Sequence, residues 1–309
     1  MALSQHPSIG IVIPYFGAWP KWMDFFLISC AANPTIDWFL LGDHEPTAAL
    51  PPNVRFHVTS WSDYKNRISK KLGIHFSAEN PYKLCDLKPA FGRIHDDLLA
   101  GYDFFGFGDV DVIYGDIRKF YTPKLLHRYK LISTHYYGVS GHLCLIRNEP
   151  AWVDAFMRVP GWQSIFEDTK NHVFDEWAFS KVFLRGGGQP KPLRWLRNRY
   201  DSFHRLAYFK EQHVTPVGYY MEPRAQQVPS ERYRWSGGKL CSAYADQTEY
   251  IYLHFMNWKA NNCLFRDGIQ LEAAWPKLEQ LIHPIGAKPN VDDAWEIGHD
   301  GIRILDRST

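Results

Sequence analysis

The sequence predicts an α/β domain, a doubly wound parallel sheet with helices packed on it, and three observations carry that prediction. Short β-branched runs recur and each is stopped by a turn. Stretches of helical length with apolar spacing lie between them. A very apolar run, Phe104–Gly108, ends directly in two carboxylates. In chain order, Ile9–Pro14 reads as a buried strand closed by Pro14-Tyr15-Phe16-Gly17, and Trp19–Ala32 as a helix ending before Asn33-Pro34. Ile36–Gly42 and Val54–Val58 are further strands, and Ser62–Leu72 a helix capped by Ser62 or Asp63 and stopped by Gly73. Leu84–Ala100 is expected to be helical and Tyr102–Phe107 a strand. Leu143–Ile146 follows as a strand, then helices from about Glu149 to Arg158 and Asp175 to Leu184, an irregular stretch over 189–248, and a late strand Tyr250–Leu253. Sites in such sheets lie beyond the carboxyl ends of the strands, which directs attention to 14–17, 42–43 and 108–111.

Composition narrows the function. The 309 residues are 45% hydrophobic, enough for a large core, which excludes a disordered chain or a small disulfide scaffold. Thirty-five basic against 33 acidic residues give a net charge of +2, and a whole-surface nucleic-acid binder is expected to be far more basic. Five scattered cysteines without a C-x-x-C pair read as reduced thiols, and the N-terminal residues lack a secretory pattern. The expected location is therefore cytoplasmic. Aromatic residues make up 16% of the chain, and rings at this density line a core, stack on sugars or bases, or sit at a membrane surface.

The chemistry-bearing residues fall into four groups. Asp109 and Asp111, with one residue between them at a strand end, can share one hard cation if a turn brings them to the same side, and Mg²⁺ or Mn²⁺ suits such oxygens. His254, directly after the late strand, can complete that shell, and Lys259 can neutralise a leaving phosphate oxygen. Adjacent Asp175 and Glu176 either sit at a helix N-terminus for electrostatic reasons or act on an acceptor. Asp86, Lys88 and Arg93 lie on the segment leading to the Asp109 strand, as ligand contacts or as a solvated helix face. A fifth region, 185–210, is basic with apolar residues at helical spacing and suits either an anionic membrane surface or simple packing on the domain.

In this order, Pro14-Tyr15-Phe16-Gly17, Asp109-Val110-Asp111 and a late His254 followed by Lys259 resemble the GT-A glycosyltransferases, above all the bacterial enzymes of lipopolysaccharide, capsule and related surface glycans. Tyr82–Gly92 and Gly138–Asn148 add to the likeness, which spans roughly residues 9–260. The late motif departs from the usual His-x-x-Gly-x-x-Lys, having no Gly and a lysine five residues on. The resemblance implies a GT-A-like, Rossmann-type mixed sheet flanked by helices in one domain over 1–260, with a nucleotide-sugar half (1–130), an acceptor half (131–260) and a C-terminal helical extension (261–309). It implies Pro14, Tyr15 and Phe16 beside the nucleotide base, with Asp86, Lys88, Arg93 and Asp109 also on the donor. It further implies Mn²⁺ or Mg²⁺ on Asp109, Asp111 and His254, and Asp175, Glu176 and Lys259 in catalysis. The donor expected is a nucleotide diphosphate sugar, UDP-linked by preference, the acceptor a surface glycan, and the outcome leans to retention. Stretch 185–210 then offers peripheral contact with the inner face of the cytoplasmic membrane.

Two other classes compete. Asp109-Val-Asp-Val112 also fits the opening of haloacid-dehalogenase-like phosphohydrolases, with Ser133 or Thr134 as their second motif, although that motif belongs to a first core strand. A non-catalytic glycan-binding protein explains the aromatics but not the carboxylates with His254.

Overall fold

The computed structural model describes residues 6–46, 49–184, 191–216, 232–244, 247–259, 278–284 and 288–305. Its centre is a seven-stranded mixed sheet built from β1 (Ile9–Pro14), β2 (Ile36–Gly42), β3 (Val54–Val58), β4 (Phe104–Gly108), β6 (Leu131–Ser133), β7 (Leu143–Arg147) and β8 (Ala207–Phe209). The order is β3-β2-β1-β4-β7-β6-β8. The first four are mutually parallel, whereas β7 runs antiparallel to both β4 and β6. Alternation explains the continuous apolar runs, because both faces are covered. Val12, Phe39, Phe105 and Cys144 pack on one side with Tyr64 and Ile68. Ile11, Ile13, Trp38 and Leu145 pack on the other with Phe26 and Leu27.

Apart from α2, the helices on these faces are shorter than the sequence predicts. Helix α1 spans Met23–Ala31 and is buried almost all round, since Phe26 faces the main sheet and Phe25 a further apolar cluster. Helix α2 spans Trp61–Leu72; its cap is Ser60, whose Oγ accepts from Asp63 N–H, and Gly73 ends it at φ 66°. The helix expected over Leu84–Ala100 is a chain of single turns from Pro81 to Ile94. Pro89 has no N–H and crowds the preceding turn, so a regular helix cannot run through it. The helix expected from Asp175 gives way to one π-helical turn, Phe174–Ala178, followed by a helix over Ser180–Phe183.

The late strand splits in two. Glu249–Tyr250 (β11) joins a second sheet, and Tyr252–His254 (β12) pairs antiparallel with β5 (Val112–Tyr114), placing His254 opposite Val112. The second sheet also holds β9 (Arg232–Ser236), β10 (Lys239–Ser242), β13 (Ile282–His283), β14 (Ala294–Gly298) and β15 (Gly301–Leu305), in the order β11-β10-β9-β14-β15-β13. Where a helical extension over 261–309 is expected, the described residues hold one helical turn, Leu278–Leu281, and three strands of this sheet. Alternating Trp295, Ile297 and Ile302 put apolar side chains on one face, and Trp235 and Trp295 stack at 4.1 Å across the β9–β14 register.

Candidate active site

The topology brings three stretches of chain to one end of the main sheet. β1 ends at Pro14 and β4 at Gly108, and antiparallel β7 begins opposite Gly108, so Gly141 and His142 arrive at the same edge. The β5–β12 register adds His254, and Phe255 N–H donates to the Asp111 carbonyl at 3.2 Å. From the helical side, Trp22 Nε1 donates to the Val110 carbonyl at 2.9 Å and fixes the turn between the two aspartates. These elements enclose a cleft of about 600 Å³ whose walls include Pro14, Tyr15, Phe16, Lys88, Asp109, Asp111, Asp175, Glu176 and His254.

Asp109 and Asp111 meet different partners. Lys88 Nζ donates to Asp109 Oδ1 at 2.6 Å and to the Gly141 carbonyl at 3.0 Å. His254 Nε2 lies 3.7 Å from Asp111 Oδ2. One ligand atom each of Asp109, His142 and His254 also falls within 4.8 Å of the others. Carboxylates with imidazoles at this spacing fit a divalent cation of the Mn²⁺ or Mg²⁺ kind, reached from a cleft large enough for a phosphate-bearing ligand.

The opposite wall holds Asp175 and Glu176. Asp175 Oδ2 is 4.0 Å from Lys88 Nζ, and Glu176 Oε1 accepts from Gly141 N–H at 3.2 Å. Gly141 permits this approach: a Cβ there would stand 2.9 Å from Asp175 Oδ2 and 3.2 Å from Glu176 Oε1. Burial pushes the Asp175 carboxyl up to about 8 against the pull of Lys88, with Glu176 and Asp109 adding to the rise. Burial also raises Glu176, opposed by the Gly141 N–H. Burial alone would lower the Lys88 ammonium, but Asp109, which accepts its hydrogen bond, holds it charged and above the ordinary lysine value.

Two of the expected ligand contacts lie elsewhere. Asp86 is fully buried, and its oxygens take Lys83 Nζ at 2.8 Å and the N–H groups of His172 and Phe174 at 2.8–3.1 Å. It therefore anchors the turn that delivers Asp175 rather than facing the cleft. Lys83 completes the clamp by donating to the carbonyls of Ile165 and Lys170. Arg93 forms a two-pronged pair with Asp154, with Nε at 2.9 Å, and does not line the cleft. Lys259 ends a short helix, Met256–Lys259, but its side chain lies outside the described residues, as do 185–190 in the basic stretch. That stretch forms helices over Lys191–Tyr200 and Ser202–Arg205 before strand β8; Trp195, Leu196 and Tyr200 are exposed, whereas Phe203 is buried against Trp152.

Sequence reading missed the histidines. His142 lines the cleft with its ring centroid 3.6 Å from that of His254. Burial and the neighbouring His254 and His135 hold it neutral, well below the usual histidine value. The only sequence signal is its place directly after Gly138–Gly141, where the small residues draw attention and the imidazole does not. Tyr82, 67% exposed at the cleft wall, was likewise seen only as part of a segment. Val173 is the other surprise: a β-branched cleft residue at φ 53°, immediately before the π turn.

Residues 11–272 match a family of unknown function, DUF6625. The chain belongs to that family. No curated protein matches this DUF6625 chain. Among solved structures, the DUF6625 chain is similar to galactosyltransferase LgtC in complex with donor and acceptor sugar analogues, with 11% identity over 91% of this chain and 98% of the other at a TM-score of 0.41. An active-site mutant of LgtC gives 13% identity, 87% and 94% coverage, and a TM-score of 0.40. The apo glycosyltransferase GlyE of Streptococcus pneumoniae TIGR4 gives 13% identity, 69% and 48% coverage, and a TM-score of 0.35.

Proposed function

We propose that this DUF6625 protein is a metal-dependent glycosyltransferase that moves a sugar from a nucleotide diphosphate donor, UDP-linked by preference, to a glycan acceptor. The observation that carries the reading is the convergence of Asp109, Asp111 and His254 in one cleft at the carboxyl ends of β1 and β4, with Tyr15 and Phe16 alongside. Asp109, Asp111 and His254 would hold Mn²⁺ or Mg²⁺, which when bound stabilises negative charge on a departing diphosphate. Tyr15 and Phe16 offer ring faces to a base, and Phe16 is braced edge-on by Trp61 at 4.9 Å. Lys88, held charged beneath Asp109, contributes a fixed positive potential at the same wall. Asp175, raised to about 8, carries its proton at neutral pH and is suited to donating a hydrogen bond rather than removing a proton. Glu176 is then the carboxylate positioned to act on an acceptor hydroxyl or to steady positive charge at the anomeric carbon. Burial raises its carboxyl, and the Gly141 N–H partly offsets that rise while holding Oε1 in place. A retaining outcome and a bacterial surface glycan remain the preferred refinements, resting on the sequence resemblance.

Thermal unfolding with UDP, GDP and CMP, each with and without Mn²⁺, tests the proposal. The expected result is a metal-dependent rise in Tm with one nucleoside diphosphate. Equal melting in all conditions, together with release of phosphate from a generic phosphomonoester, would instead favour a phosphohydrolase. Among the described residues no helix is long and apolar enough to cross a membrane. Contact with anionic lipid would have to come from the surface, where Arg199 lies over the exposed Trp195 ring at 5.6 Å.

A further inference from the structure

A second group of imidazoles lies beside the cleft and shares with it one member, His142. His135 follows β6, His142 precedes β7, and the antiparallel register Ser133–Cys144 brings these two loops together. His213 joins them from the segment that bridges Val214 to Leu253 in β12. Ring centroids lie 5.1 Å apart for His135–His142, 5.2 Å for His135–His213 and 5.8 Å for His142–His213. One nitrogen from each ring falls within 4.8 Å of the other two. We propose that His135, His142 and His213 form a Zn²⁺ site, distinct from the Asp109–Asp111–His254 centre and adjoining it through His142.

The surroundings are those of a metal site. His213 Nδ1 is 3.1 Å from the Thr134 carbonyl, and a carbonyl can only accept, so Nδ1 carries the proton and Nε2 keeps its lone pair. A backbone carbonyl on the far ring nitrogen is the usual way a ligating histidine is oriented. His135 is braced by the ring of Tyr137 at 5.4 Å, and Glu176 Oε1 lies 3.9 Å from His142 Nε2, so a carboxylate stands close by to balance a dication. His135 and His213 are buried while His142 lines the cleft, which provides a way in for the ion. Three imidazoles favour Zn²⁺ over Mn²⁺ or Mg²⁺, which prefer oxygen donors. An ion there would pin the His142 loop, and with it one wall of the cleft. The proposal stands whether or not the cleft binds a sugar donor.

The test uses the full chain stripped of metal and titrated calorimetrically with ZnCl₂ alone. His135→Phe, which keeps a ring against Tyr137, and His213→Gln are each expected to weaken Zn²⁺ binding by about 100-fold. Both should leave Mn²⁺ affinity, measured without Zn²⁺, within about twofold. X-ray absorption of the wild-type chain loaded with equimolar Zn²⁺ gives a readout independent of any variant's folding, and a shell of three imidazoles is expected. A shell containing carboxylate oxygen would overturn the assignment. So would unchanged Zn²⁺ affinity in both variants alongside its loss in Asp109→Asn and His254→Gln, which would move the ion to the carboxylate centre.

Discussion

The two walls of the cleft are built by different means. Asp109, Asp111 and His254 come from strand ends, where backbone pairing sets their positions: β4 ends at Gly108 and the β5–β12 register places His254. Asp175 and Glu176 come from an irregular turn with no ladder to hold it. That turn depends instead on a buried ion pair, Lys83–Asp86, bonded to four backbone groups on Ile165, Lys170, His172 and Phe174. One wall is thus secured by periodic structure and the other by a few desolvated charges. The first is therefore expected to tolerate loss of a site side chain without loss of shape, and the second is not.

The sharpest way to break this contrast is Asp86→Ala. It leaves the Lys83 ammonium buried without its counter-charge, and stability is expected to fall by about 3–5 kcal/mol in denaturant unfolding. A loss under about 1 kcal/mol would mean the turn is held by something else. Asp111→Asn and His254→Gln should do the opposite, changing stability by less than about 1 kcal/mol. They should still remove the Mn²⁺-dependent nucleotide shift and lower transfer about 100-fold or more. Parallel loss of fold and activity would erase the distinction between the walls.

A pH titration separates them further. Asp175 binds its proton more tightly folded (about 8) than unfolded (near the ordinary aspartate value, 3.8), so its contribution is fully present below about pH 4 and lost as pH rises toward 8. Asp175→Asn is expected to flatten that decline, leaving the variant more stable than wild type at pH 8 by an amount on the order of 1–3 kcal/mol. An unchanged pH slope would show that Asp175 titrates normally. The next effect is smaller: Val173→Gly relieves a positive φ at the entrance to the π turn and should change stability by no more than about 1 kcal/mol, while raising KM if the strained turn aligns Glu176. Smallest of all, Arg93→Ala breaks a partly exposed pair with Asp154, and a change of at most about 1 kcal/mol with unaltered transfer is expected.

This difference also explains what could be read from the sequence. Strands β1, β2, β4 and β7 announce themselves because both sheet faces are buried and their runs are strongly apolar, whereas edge strand β3 shows only as alternating apolar and polar residues. With the strands come the residues at their ends, so the meeting of Pro14–Phe16, Asp109, Asp111 and His254 in one cleft follows from the sheet that the apolar runs announce. Lys88 lines the same cleft from a broken helix whose proline kink spacing does not reveal. The charged residues of 86 and 93 were misassigned because spacing along the chain does not say which carboxylate is desolvated: Asp86 turns inward to backbone amides, and Arg93 outward to Asp154. The histidines stayed hidden for the same reason, since 135, 142 and 213 meet only through the β6–β7 register and a single bridge at Val214.

The pairing of β12 with β5 has a consequence for synthesis. Val112 and His254 are far apart in the chain, so the centre they help to form cannot assemble while residue 254 is still inside the ribosome. The parallel strands β1 to β4 can associate earlier. Until β12 arrives, the nascent chain presents Asp109 and Asp111 without His254 beside them. Completion of the cleft waits on translation past residue 254, whose neighbours Leu253 and Phe255 pack in the same apolar cluster as Phe25, Ile113 and the second sheet's Trp235 and Trp295.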